Sequence, residues 1–320
     1  MQTPKKSYTF DYPAAITAAD TQMSVFWTHD EIHVDKDIQD IRVNMTEAEA
    51  HGVLTTLKLF TLYELIAGTE YWGKRVMRMF PRPDIHRMAN AFSFFELNVH
   101  APFYNKINEA LMVNTDDFYL DYLNDPLLSE RMDFIEDMVT DKDDLLSLAV
   151  FSMVEGAVLY SAFAFLLHFQ AKGKNKLKNV CSGIKFSVRD ENLHSEGGAW
   201  LFKQLLEEKT EAGEIKGAAL TCLTLKIESA AEQLKEHEYA IIDKIFEKGE
   251  IKGITKQQMK DFVNHRIALC LGNLGLEVEQ VECSVSDWFY EQINSVQLHD
   301  FFAGVGNDYN RLWRQEGFEW

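Results

Sequence analysis

The chain has 320 residues, enough to bury a large core, and sets 32 Lys plus Arg against 50 Asp plus Glu for a net charge of −18. That balance excludes the basic face on which nucleic-acid binding depends. Cys181, Cys222, Cys270 and Cys283 have no close pairing, so neither a disulfide framework nor a Cys-x-x-Cys metal site is indicated, and a cytoplasmic protein is expected.

The opening MQTPKKSYTFDYP lacks an apolar core of signal-peptide length. Residues 1–45 read as irregular or extended, with Trp27 in the segment MSVFWTHDEIHVDKD. Thr46 with Glu49 makes a capping-box pattern that opens a helix expected to run to about Phe80. Pro81 and Pro83 break it, and Asp84 is expected to cap a second helix reaching about Met112. A shorter helix is predicted over 127–140, the central one over 142–171, and another over 175–209 after the turn GKNK. Long helices over 213–247 and 255–275 and a short one over 285–295 follow. All six prolines lie at or before Pro126, which leaves the rest of the chain free of the strongest helix breaker. The expected architecture is all-α, with one helical domain over 1–300 and a C-terminal tail over 301–320.

The stretch 145–169, LLSLAVFSMVEGAVLYSAFAFLLHF, is apolar on every side and long enough to span a membrane. It has no basic flank, so burial at the centre of a bundle is expected and no membrane association. Its single acid, Glu155, is costly there unless something cationic meets it. Other helices repeat the pattern. Glu64 sits in LKLFTLYELIAG, Glu96 and His100 lie four apart in AFSFFELNVHAPFY, and Glu191 and His194 lie three apart in VRDENLH. Each piece alone has an ordinary explanation as an ion pair, a polar edge or a core histidine. Together they place inward carboxylates on four long helices, two of them with histidine. Carboxylates and histidines arranged so hold two divalent cations in a bundle core, where four negative charges meet about as many positive ones. Mixed oxygen and nitrogen donors suit iron or manganese. Glu70 competes with Glu64 and Glu196 with Glu191; both stand beside more polar residues and rank second.

The ordered set LYELIAG, HAPFY, VEGAVLYSAFAF, VRDENLHSEGG and FFAGVGNDY resembles the small (beta) subunit of class I ribonucleotide reductase, from about Trp27 to Tyr309. The resemblance implies a ferritin-like helical bundle around a dinuclear centre, di-iron first, with manganese–iron or dimanganese also compatible. It implies activation of oxygen, a tyrosyl radical or a high-valent oxidant, and transfer of that oxidising equivalent to a large (alpha) subunit that reduces ribonucleotides. Carried over by position, the metal ligands are Glu64, Glu96, His100, Glu155, Glu191 and His194. Tyr104 matches the radical-bearing tyrosine. Trp27 and Asp190 match the route from His100, and Tyr309 the tail tyrosine at the subunit boundary. The terminal EGFEW is similar in chemistry to tails that dock on the large subunit. A homodimer is expected, since apolar helix faces outside the four-helix core need cover. No Gly-rich phosphate loop is present, so ribonucleotide chemistry belongs to the partner. Another di-metal carboxylate oxygenase or desaturase, or a metal store of the ferritin kind, would use the same ligands without Trp27 or the tail.

One spacing departs from the family. Its first Glu and His are usually three apart, and three before His100 stands Leu97. A regular helix would turn Glu96 about 100° away from the required direction. Pro102 cannot donate to the carbonyl of Asn98, so a one-residue π-bulge between Glu96 and His100 is expected, which would restore the facing. In its absence the site would have five ligands. Leu159, Phe163 and Phe95 are candidates for the apolar shell around a radical.

Overall fold

The structure, a computed structural model, describes residues 1–279 and 281–302. Tyr309, and the expected tail beyond Phe302, lie outside the described residues. The N-terminal region is not irregular throughout. Helix α1 spans Pro13–Ser24, opening on Pro at its first position and presenting Ala15, Ala19 and Gln22 inward. Alanine gives the segment helix propensity while its small side chains give almost no apolar stripe, which is why periodicity alone misses it.

Helix α2 spans Glu47–Leu65 and opens on the Thr46–Glu49 capping box. It continues as a wider π-helical stretch over Ile66–Val76 before a last α turn at Met77–Met79. Helix α3 begins one residue earlier than its expected cap. Pro83 occupies the first turn, α3 spans Pro83–Phe95, and Asp84 lies inside it. Asp84 instead accepts from the backbone N–H groups of Asp11 and Tyr12, at 2.9 and 3.1 Å, and so ties down the N-terminal segment. A π turn over Glu96–His100 joins α3 to α4 (Ala101–Leu111) without breaking the rod.

Asp125 caps α5 (Pro126–Thr140), and Asp143 caps α6 (Asp144–Met153). The rod of α6 passes through a π turn over Val154–Val158 into α7 (Leu159–Leu167). Its most apolar window is 94% buried inside the fold, so the span that could cross a membrane by length is the axis of the core. Around it stand α8 (Lys178–Glu211), α9 (Ala218–Ile245) and α10 (Lys256–Asn273), the last opened by a Thr255–Gln258 capping box. Helix α11 spans Ser284–Phe302, longer than the 285–295 expected. Among the described residues no strand forms beyond an isolated bridge between Ile251 and Ile254, and the cysteines are free.

Candidate metal centre

Four rods converge on one dry volume. Glu64 comes from the last turn of α2, Glu96 and His100 from the π turn after α3, Glu155 from the π turn between α6 and α7, and Glu191 and His194 from α8. All six side chains are fully buried. Glu70 and Glu196 are exposed and engaged elsewhere. Glu70 pairs with Lys74 at 2.6 Å, and Glu196 accepts from Asn192 at 2.7 Å.

The extra residue between Glu96 and His100 is absorbed by the π turn, whose wider loop is closed by the Ala101 N–H donating to the Glu96 carbonyl. Both side chains therefore face the same interior. His100 Nδ1 lies 3.0 Å from Glu96 Oε2, 3.0 Å from Glu191 Oε1 and 3.7 Å from Glu64 Oε2. His194 Nδ1 lies 2.5 Å from Glu96 Oε1 and 3.3 Å from Glu191 Oε2. The acids and imidazoles fall into two overlapping quartets, Glu64–Glu96–His100–Glu191 and Glu96–Glu155–Glu191–His194, in each of which the donor atoms lie within 4.8 Å of one another. Glu96 and Glu191 belong to both.

The outer faces of the imidazoles are fixed by a second set of side chains. His100 Nε2 lies 3.2 Å from Asp190 Oδ2, which also accepts from Trp27 Nε1 at 2.7 Å. The Trp27 and His100 rings are 5.9 Å apart and tilted by 32°. Gln22 of α1 closes the set, donating from Nε2 to Asp190 Oδ1 at 3.1 Å and meeting His194 Nε2 with Oε1 at 3.0 Å. With Nε2 of each ring directed at an oxygen, Nδ1 of each faces the carboxylates. Trp72, from the π-helical stretch after α2, donates to Glu155 Oε1 at 2.9 Å.

The electrostatics are those of a site short of positive charge. Burial, then the neighbouring Glu96, pushes the Glu64 carboxyl well above its ordinary range. Burial, then Glu191, does the same to Glu155. Burial would also raise Glu96, but the charges of His194 and His100 outweigh it and hold that carboxyl low. Burial opposes charge on His194, yet Glu96 and Glu191 lift it to about 9. The Glu64 oxygens and Glu155 Oε2 make no hydrogen bond of good geometry, while the oxygens of Glu96 and Glu191 face the imidazole Nδ1 atoms. Four buried carboxyls, those of Glu64 and Glu155 kept protonated, facing two imidazole nitrogens fit a pair of divalent transition ions, whose binding would displace the protons the cluster otherwise retains.

Tyr104, one turn beyond His100 on α4, is fully buried. Burial, then Glu64, keeps its phenol far above the ordinary value and so neutral. Its ring stacks on Phe60, with centroids 4.4 Å apart, and Phe60 stacks in turn on Phe163 at 5.5 Å. Leu159 lines the same small space as Phe60, whereas Phe95 stands by Phe26 and His100. Four contributors escape a reading by motif: Gln22, Trp72, Phe60, and the pair Ser152–Ser195. Each hydroxyl of that pair donates to the other residue's carbonyl at 2.8 Å, pinning α6 to α8 beside Glu155 and His194. Only Gln22 leaves a trace in the sequence, on the Ala15–Ala19–Gln22 face of α1.

Comparison with known proteins agrees with this geometry. Residues 5–279 match the family described as ribonucleotide reductase, small chain. The ribonucleoside-diphosphate reductase subunit beta of Halalkalibacterium halodurans is 26% identical over 308 residues, 92% of this chain and 85% of that protein. The fold is similar to that of the dimanganese(II) NrdF of Streptococcus sanguinis, with TM-score 0.73, 19% identity and coverage of 88% of this chain and 94% of the other. It is similar also to the ribonucleotide reductase R2 subunit from Clostridium botulinum, with TM-score 0.74, 20% identity and coverage of 88% and 89%. With most of its length matched by that family, the chain belongs to the small-chain family of ribonucleotide reductase.

Proposed function

We propose that this chain is the radical-generating small subunit of a ribonucleoside-diphosphate reductase, and that Glu64, Glu96, His100, Glu155, Glu191 and His194 hold two iron or manganese ions. The observation that carries the proposal is the pair of buried quartets sharing Glu96 and Glu191, one quartet for each ion. Such a centre supplies activation of oxygen and a one-electron oxidation when the metals are bound.

The chain's own side chains do the rest. Glu96 and Glu191 belong to both quartets and would serve both ions, while Glu64 with His100 and Glu155 with His194 would complete one each. Tyr104 is the residue oxidised. Its phenolic proton is held at Oη by burial, and the aromatic wall of Phe60 and Phe163 keeps water from the ring. His100, Asp190 and Trp27 form the continuous hydrogen-bonded route away from the centre. Tyr309 and the tail residues that follow carry the equivalent to a large subunit, where ribonucleotides are reduced. A second copy of this chain covers the exposed apolar side chains Tyr8, Met23 and Phe94 around the groove between α1 and α3, making a homodimer.

Metal analysis of the natively expressed protein, joined to an EPR spectrum after reduction and exposure to oxygen, tests the reading. Two transition ions per chain and a tyrosyl or mixed-metal signal are expected. A metal-free protein with no such signal after loading would sink it. Removal of residues 303–320 is expected to leave metal binding intact and abolish reductase activity with a large subunit; surviving activity would refute the role of the tail.

A further inference from the structure

The π turn that carries Glu155 is held by a buried arginine that none of the roles above uses. A π turn takes a carbonyl out of the regular ladder, and a buried carbonyl so displaced needs a donor. Here the Gly156 carbonyl accepts from Arg266 Nε at 2.8 Å. Arg266 lies on α10 and is 5% exposed. Its guanidinium carbon stands 3.7 Å from the centroid of the Tyr160 ring, and its Nη1 donates to the Tyr290 hydroxyl of α11 at 2.7 Å. No carboxylate is paired with it among the described residues. A buried guanidinium with a carbonyl, a ring and a phenol for partners is expensive on stability grounds alone. The residue it grips is the direct neighbour of Glu155.

The surroundings make the turn unable to shift freely. A Cβ at Gly156 would stand 2.3 Å from Ser195 Oγ and 2.5 Å from Cys270 Sγ, so α8 and α10 close on the turn and only glycine fits. Arg266 and Cys270 are four apart on α10 and share one face. Tyr160, under the guanidinium, donates from its hydroxyl to the Val188 carbonyl of α8 at 3.1 Å. Arg266 thus ties the turn to α8 through Tyr160 and to α11 through Tyr290.

We propose that Arg266 is a positioning residue for the metal centre: by gripping the Gly156 carbonyl it fixes the π turn from which Glu155 reaches the Glu96–Glu155–Glu191–His194 quartet, and Tyr290 of α11 holds it in that grip. The proposal rests on the reading of the cluster as a two-metal centre. It assigns α11, the helix from which the chain continues to its C-terminal end, a direct mechanical connection to one ligand of the centre.

The test uses the full chain, stripped of metal and titrated with Mn(II) while the six-line EPR signal of free Mn(II) is followed. Wild type is expected to bind two ions per chain. Arg266→Gln is expected to weaken one of the two by about tenfold or more, leaving the other near wild type. Tyr290→Phe, which keeps the guanidinium, is expected to shift the same ion in the same direction by less. Ile85→Ala, a core truncation at the start of α3, a helix packed on α1 and on the π-helical stretch after α2, serves as the control for lost stability. It is expected to lower the melting temperature while leaving both affinities unchanged. The inference is overturned if Arg266→Gln and Tyr290→Phe bind Mn(II) as wild type does. It is overturned equally if Ile85→Ala weakens binding in proportion to its lost stability. A wild type that binds no Mn(II) would instead remove the two-metal reading, and this inference with it.

Discussion

Asp190 offers two carboxylate oxygens to three partners, Trp27 and His100 on one and Gln22 on the other. Each partner constrains the next, so the orientation of the His100 and His194 rings is set by side chains outside the two quartets. Trp72 plays that part for Glu155. Trp72→Phe keeps most of the buried ring and removes the Nε1–H that Glu155 accepts at 2.9 Å. Affinity for the ion served by Glu155 is expected to fall about tenfold by Mn(II) titration, while the ion served by Glu64 is retained. An unchanged isotherm would show that the indole only fills space. Tyr104 makes the opposite case. Its buried hydroxyl has only the Ser187 hydroxyl as a weak side-chain neighbour, so Tyr104→Phe removes a polar atom that stabilises little. The variant is expected to bind two ions and to melt within a few degrees of wild type, yet to give no tyrosyl signal after exposure to oxygen. A tyrosyl signal of wild-type size in that variant would move the radical to another residue.

The π turns are the elements on which the buried cluster depends, because each widens a rod close to an acid or imidazole that faces inward. Glu64 lies two residues before one such stretch, Glu96 and His100 bracket a second, and Glu155 lies in a third. The second was legible in the sequence, because a four-residue Glu–His spacing and Pro102 conflict with a straight helix. The other two left no such conflict: 66–76 and 154–158 keep an apolar pattern compatible with either winding. The helices and their inward acids were legible for a simple reason, since burial and periodicity are local properties of the chain. Gln22, Trp72 and the Ser152–Ser195 clasp were not, because their roles exist only once α1, α2 and α8 are brought together. α1 itself is hidden by its alanines, and Asp84 lies inside the first turn of α3, where Pro83 opens the helix one residue before the expected cap. Since the turn at 96–100 absorbs one residue, deleting the exposed Asn98 restores three-residue spacing between Glu96 and His100 and regular winding. The deletion is expected to preserve folding and binding of two Mn(II), measured by circular dichroism and EPR. Loss of both ions in a folded chain would mean that the widened turn sets more than the facing of Glu96.

At the scale of the whole molecule, the rod formed by α6 and α7 carries the most apolar surface into the core, and its far end buries His168 against Phe165 and Phe169. His168 Nδ1 donates to the Phe165 carbonyl, and among the described residues no carboxylate forms an ion pair with the ring. Burial, then the charge of Lys174, pushes its pKa from 6.5 down to about 3. Above about pH 6.5 the imidazole is neutral folded or unfolded, and its contribution to stability is complete. As pH falls from there toward 3, the unfolded chain takes up a proton that the folded chain refuses, so stability is lost at about 1.4 kcal/mol per pH unit. Between pH 7 and pH 5 that amounts to about 2 kcal/mol. His168→Gln retains an amide donor for the Phe165 carbonyl and cannot titrate. Urea unfolding at the two pH values is therefore expected to show the wild type losing about 2 kcal/mol more than the variant, whatever the metal-binding groups contribute to both. If the difference between the two proteins is the same at pH 7 and pH 5, His168 accepts its proton in the folded state. The core around the end of α7 would then be open to water, and the dryness that the buried carboxylates require would have to be secured closer to the centre itself.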